Sequence, residues 1–140
     1  MATYDLTESG YAGSQDTAKL RTQYVKVNQI LADGDVLQLF DLEKNEVPLS
    51  LAMKVVEGSD GTTPTCAVGY TGGTTNAILA ATAITVAAEG TVTAGAGAQF
   101  NAATAATAAD TVDALIAVTG TPTVACVLEF ELITIKTSLV

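Results

Sequence analysis

Five groupings in this 140-residue chain contain the residue types from which functional sites are built. Asp33-Gly34-Asp35 places two carboxylates around a glycine, the opening of a cation-binding loop. The further spaced oxygen ligands of a calcium loop are missing after it, and Asp-Gly is a preferred pair for a tight hairpin turn. Asp110 and Asp113 could divide acid and base roles across a turn, but no nearby cation or aromatic platform would orient a substrate. A solvated strand entrance fits them better. Gly69-Tyr70-Thr71-Gly72-Gly73 has the glycines of a phosphate cradle, but the chain continues as Thr74-Thr75-Asn76-Ala77, without the helix start and lysine such a cradle needs. Cys66 and Cys126 stand far apart in apolar, strand-like runs and match no metal-ligand spacing. They read as buried free thiols, with a cross-strand disulfide as the alternative if their Cα atoms lie within about 7 Å. Serine and threonine hydroxyls abound, yet a nucleophile needs an activating base, and the chain contains no histidine. The expectation is a protein without catalytic, cofactor or metal sites.

What is missing restricts the partners as well. From Val55 to Ile135 there is no lysine or arginine, and those 81 residues carry seven acidic groups. The whole chain has six basic and 15 acidic residues, a net charge of −9. Phosphate neutralisation needs clustered cations, so neither nucleic acid nor an anionic membrane is expected as a direct partner. Residues 1–13 are polar, with acids where a secretory leader is basic, which predicts a chain made in the cytoplasm.

The elements that would position any site are β-strands. Residues 1–22 show no periodicity but include Tyr4 and Tyr11, which suits an extended arm that orders on a partner. From Gln23 the chain alternates. Val25 and Val27 share one face of a first strand, and Ala32-Asp33-Gly34-Asp35 is a turn with Gly34 at positive φ. Val36 to Leu42 is apolar on both faces, Leu37 and Leu39 on one and Val36 and Phe40 on the other. This predicts a central strand or one facing another subunit. Val47 to Glu57 alternates with Leu49, Leu51, Met53 and Val55 inward, and Pro48 belongs at its start. Cys66, Val68 and Tyr70 mark the next strand, followed by short strands at Ile78-Leu79, Ile84–Val86 and Thr91–Thr93. Residues 102–109 read as a loop or irregular strand with a short helix in competition, and Asp113 to Thr119 is a strand. Thr123 to Lys136 is a long strand with Glu129 and Glu131 on its open face. About eight strands and no long helix predict one all-β domain, residues 23–140, an antiparallel β-sandwich of jelly-roll type with an N-terminal arm.

Several segments together carry a resemblance. They are the proline-headed strand Glu46-Val47-Pro48-Leu49-Ser50-Leu51-Ala52-Met53-Lys54-Val55, the glycine-ended Ala67-Val68-Gly69-Tyr70-Thr71-Gly72-Gly73, Ala88-Glu89-Gly90-Thr91-Val92, and the Thr-Pro turn and closing strand Thr121 to Phe130. Over residues 23–135 this pattern resembles the small structural proteins of tailed bacteriophages that decorate or cement the capsid, and related head-fibre proteins. The resemblance implies a jelly-roll domain, often a homotrimer, bound to the major capsid protein outside an icosahedral shell. There it would bridge coat subunits against internal DNA pressure. The residues expected at the capsid or subunit interface are Tyr4, Tyr11, Lys19, Arg21, Tyr24, Val36 and Phe40. The competing reading is a head-fibre, tail or receptor-binding virion part that recognises a host surface; exposed aromatics at loop tips would favour it, and Tyr70 is the candidate. A β module unrelated to viruses, or an enzyme with an unfamiliar site, is the third.

Overall fold

The structure, a computed structural model, describes residues 19–70, 78–95 and 110–136. Eight strands run through them: β1 (Lys19–Gln29), β2 (Val36–Leu42), β3 (Glu46–Glu57), β4 (Thr62–Tyr70), β5 (Leu79–Ala83), β6 (Val92–Ala94), β7 (Asp110–Thr119) and β8 (Cys126–Lys136). They form two antiparallel four-stranded sheets, ordered β1-β8-β3-β6 and β2-β7-β4-β5. The pairings nest, β1 with β8, β2 with β7, β3 with β6 and β4 with β5, so the chain behaves as one long ribbon folded back and wound into two layers. The expected all-β sandwich is what forms.

The core lies between the layers. Leu51, Met53 and Val55 of β3 and Leu128, Phe130 and Leu132 of β8 meet Cys66 and Val68 of β4 and Val112, Ala114 and Ile116 of β7. Alternation along β3 and β8 explains this. Every second side chain points inward, and burial of each large one contributes roughly 1.5–3 kcal/mol. Cys66 and Cys126 are both buried and free. Burial pushes the Cys66 thiol up to about 12, with Cys126 nearby adding to it, and pushes Cys126 up to about 11. Both remain protonated and unreactive.

Several expectations need correction. β1 begins at Lys19, so residues 19–22, expected in the arm, are strand; they pair with Ile133 to Lys136 of β8. β2 is not central but lies at a sheet edge. Its two apolar faces come from a β-bulge between Gln38 and Phe40, which adds a residue and reverses the alternation. Leu37 points inward before the bulge, Phe40 and Leu42 after it. A second bulge, between Pro48 and Ser50, leaves Leu49 exposed rather than buried. Ile84–Val86 is not a strand: Thr85 makes an isolated bridge to Ser59, and Val86–Ala88 is a 3-10 turn. Residues 102–109 and Gly72-Gly73 lie outside the described residues.

Carboxylates tie together the end of the sandwich where the β1–β2, β3–β4, β5–β6 and β7–β8 connections meet. Asp33 Oδ1 accepts the Val118 N–H at 3.1 Å, Asp35 Oδ2 accepts that of Ala32 at 2.8 Å, and Glu89 Oε1 accepts that of Gly58 at 3.0 Å. The Asp33-Gly34-Asp35 turn is therefore structural, with Gly34 at φ +83° as expected. Asp60 does most. It accepts the Thr123 hydroxyl at 2.6 Å, the Thr123 N–H at 2.9 Å and the Val124 N–H at 3.2 Å, joining two connections. The Thr123 hydroxyl, then the two N–H groups, hold its carboxyl below the ordinary value of 3.8. A depressed folded value means stabilisation that is complete above 3.8 and fades as pH falls through the folded value. The melting temperature of Asp60→Asn is expected to drop less on going from pH 7 to about pH 3 than that of the parent. Equal acid sensitivity of the two proteins in thermal scans would remove Asp60 as the acid-labile tie.

Candidate assembly surfaces

Charge is divided unequally between the layers. The strands of sheet β2-β7-β4-β5 contain no lysine or arginine, only Asp41, Asp110 and Asp113. The strands of the other sheet carry Lys19, Arg21, Lys26, Lys54 and Lys136, balanced by Glu46, Glu57, Glu129 and Glu131 with a net charge near neutral. The β1-β8-β3-β6 sheet is thus where the protein can approach another surface without accumulating like charge.

The outer face of that sheet has a readable order. Register sets Lys26, Glu129 and Lys54 side by side across β1, β8 and β3. The central carboxylate of this ladder has a cation strand on either side, a favourable cross-strand arrangement. One row along, Tyr24, Glu131 and Ala52 are neighbours. Tyr24 is 60% exposed, although partial desolvation, and then the Glu129 carboxylate to which it hydrogen-bonds, hold its phenol above the usual value. A shallow groove runs here between Tyr24 and Val92, floored by Ala52, Phe130, Glu129 and Glu131, with Lys54 beside Val92 at its rim. Ala52 opens it, because a larger side chain at that position, beside Glu131, would fill the space.

A polar node closes the sandwich where residues 19 and 136 lie. Glu46, 1% exposed, receives Arg21 in a two-pronged ion pair, Nε at 2.9 Å and Nη2 at 2.6 Å. It also accepts the Thr134 hydroxyl and, at 2.8 Å, the Glu43 N–H. Arg21 Nη2 donates at 2.7 Å to the Asp41 carbonyl, so one guanidinium links β1 and β3 to β2 of the opposite sheet. Fork-to-fork geometry and full use of the carboxylate offset much of the cost of burying charge. Outside it, Lys136 pairs with Glu43 at 2.8 Å.

The sequence-predicted interface residues do not converge. Tyr4 and Tyr11 lie outside the described residues, and Lys19 opens β1. Arg21 is committed to the node, whereas Tyr24 stands on the outer face of its sheet. Val36 is 57% exposed, but on the outer face of the other sheet. Phe40 is 5% exposed and belongs to the core, because the bulge turns it inward; its assignment to an interface is overturned. Tyr70 packs against the core at the end of β4, so it is not a loop-tip aromatic. Sequence reading placed Glu129 and Glu131 on an open face but missed the groove, whose walls come from strands far apart in the chain. Among the described residues no acidic, histidine or cysteine cluster could hold a metal ion, and no helix is long and apolar enough to cross a membrane.

No family model matches the chain, and no curated protein does. Solved structures do. A chain in the acid-stable capsid of Helicobacter pylori bacteriophage KHP30 aligns with a TM-score of 0.59 at 16% identity, over 84% of this chain and 92% of that one. One in the capsid of Ralstonia phage GP4 gives 0.62 at 19%, over 99% and 92%. One in the capsid asymmetric unit of cyanophage Pam1 gives 0.67 at 15%, over 96% and 94%. At such identities it is the path of the backbone that is held in common. The protein has the β-sandwich fold found in chains of three bacteriophage capsids.

Proposed function

We propose that this chain is a structural, non-catalytic component of a bacteriophage virion that binds the outside of an icosahedral capsid and stabilises it by bridging subunits of the major capsid protein. The fold shared with chains of three phage capsids, over 84–99% of this chain, carries the reading. The nested pairing supports a jelly-roll reading of the sandwich, in keeping with the implied family. A net charge of −9, with one sheet free of basic strand residues, favours a place away from packaged nucleic acid, hence the exterior. In this reading the protein is made in the host cytoplasm, and homotrimers attach through several weak contacts at once, gaining avidity without new chemistry. Residues 1–18 form the arm that runs along the shell, with Tyr4 and Tyr11 as anchors.

Cosedimentation with purified, expanded shells lacking the protein tests this. The full chain is expected to saturate at copy numbers comparable with the coat protein. Removing residues 1–18 is expected to leave the eight strands folded and to weaken binding at least tenfold (about 1.4 kcal/mol). Failure of the full chain to bind shells would end the capsid reading. Undiminished binding by the shortened chain would remove the arm alone.

A further inference from the structure

We infer that the groove on the outer face of the β1-β8-β3-β6 sheet receives an arginine or lysine side chain from a basic segment of the coat subunit, stacked on Tyr24 and paired with Glu131. The inference rests on the capsid-binding reading and names the contact that reading leaves open.

Three observations converge on it. Glu129 has Lys26 on one side and Lys54 on the other, whereas its neighbour Glu131 has Tyr24 and Ala52. Glu131 is exposed and forms no ion pair among the described residues, so its charge is unanswered within the sheet. Tyr24 presents an exposed ring in the same row, and Val92, 63% exposed, walls the opposite side. Lys54, which also lines the groove, is matched by Glu129 across the β3–β8 register, so Glu131 is the carboxylate left over. With an aromatic face and a small residue opening the floor, it suits a long cationic side chain. Its stem lies along apolar surface, its charge meets the ring and its donors meet the carboxylate. Charge on the larger scale agrees. A protein of net charge −9 is drawn to a basic surface, and within the β1-β8-β3-β6 sheet the groove is where a carboxylate stands without a lysine beside it in register. A second copy is a poorer occupant, since each copy would bring the same excess of acid.

Shell binding by Tyr24→Ala, Glu131→Gln and Glu131→Lys tests the groove, with Glu57→Gln as a control that removes one acid from the same sheet outside the groove's lining. All three positions are on the surface, and thermal unfolding of each variant checks that a loss of binding is not a loss of fold. Tyr24→Ala and Glu131→Gln are each expected to weaken binding about tenfold. Glu131→Lys is expected to abolish it, and Glu57→Gln to leave it unchanged. An oligo-arginine peptide should compete for wild-type binding and an oligo-glutamate should not. Parent-like binding by both Glu131 variants overturns the inference while leaving capsid attachment standing. A changed oligomeric state in Glu131→Lys, with shell binding intact, overturns it in favour of a contact between copies. If the wild-type protein binds no shell, both the inference and the reading beneath it fall.

Discussion

Arg21→Ala is expected to lower folding stability by about 3 kcal/mol, or about 10 °C in melting temperature for a domain of this size. The loss comes less from the missing attraction than from what remains: Glu46, 1% exposed, would keep a carboxylate surrounded by protein with its charged partner gone. The figure sits at the low end for a broken buried pair because the Arg21 side chain is 39% exposed, and water can enter where it stood. The guanidinium also spans the sheets through the Asp41 carbonyl, so the two edge strands β1 and β2 should loosen together. Arg21→Lys keeps the charge without the fork and should fall between parent and alanine variant. Adding Glu46→Leu to Arg21→Ala should recover part of the loss by removing the stranded charge. Urea titrations of the four proteins decide it. A loss below about 1 kcal/mol for Arg21→Ala would mean that Thr134 and the Glu43 N–H suffice for Glu46.

Gly58→Ala should be as damaging, for a steric reason. A methyl group on Gly58 would overlap the carbonyl carbon and oxygen of Thr85 and the nitrogen of Val86. Those are backbone atoms, which no rotamer change can move aside. The chain would have to part where Ser59 N–H donates to the Ile84 carbonyl at 2.9 Å and Gly58 N–H reaches Glu89. A cost of about 3 kcal/mol is expected, in the range of overpacked cores. Gly34→Ala is the instructive comparison. It also adds one methyl, but nothing lies within 4 Å of it, and only the φ of +83° opposes it. About 1 kcal/mol should be lost there. If the two variants unfolded at the same denaturant concentration, close approach of the β3–β4 and β5–β6 connections would not be what selects glycine at position 58.

These two sites show where sequence reading stops. Alternation found β2 at its observed bounds and named the inward residues Leu51, Met53 and Val55 correctly, because each side chain's face is set by its parity. Parity fails at a bulge. Neither the one between Gln38 and Phe40 nor the one between Pro48 and Ser50 leaves a mark in composition, yet each reassigns side chains to the opposite face. That is how Phe40 came to be expected at an interface and Leu49 in the core. The Arg21–Glu46 node and the Tyr24–Glu131 groove depend on register between distant strands, which a single sequence does not contain. Glu131 was visible as an open-face residue; that Tyr24 and Ala52 are its neighbours became visible only with the sheet assembled.

The nested ribbon also dictates when the fold can exist. β8 lies between β1 and β3, so the eighth strand in chain order is the interior of its sheet rather than an addition to its edge. Its partner β1 is made first, and Lys19 waits for Lys136 across the whole intervening chain. During synthesis β2, β4 and β7 can come together before Cys126 has been made, but β1 and β3 have nothing to hold them in a common sheet. Closing so long a loop is slow, and the unpaired edges meanwhile are exposed to mispairing. The protein therefore forms its core late and nearly all at once, and a chain interrupted shortly before β8 has lost the centre of a sheet, not its rim.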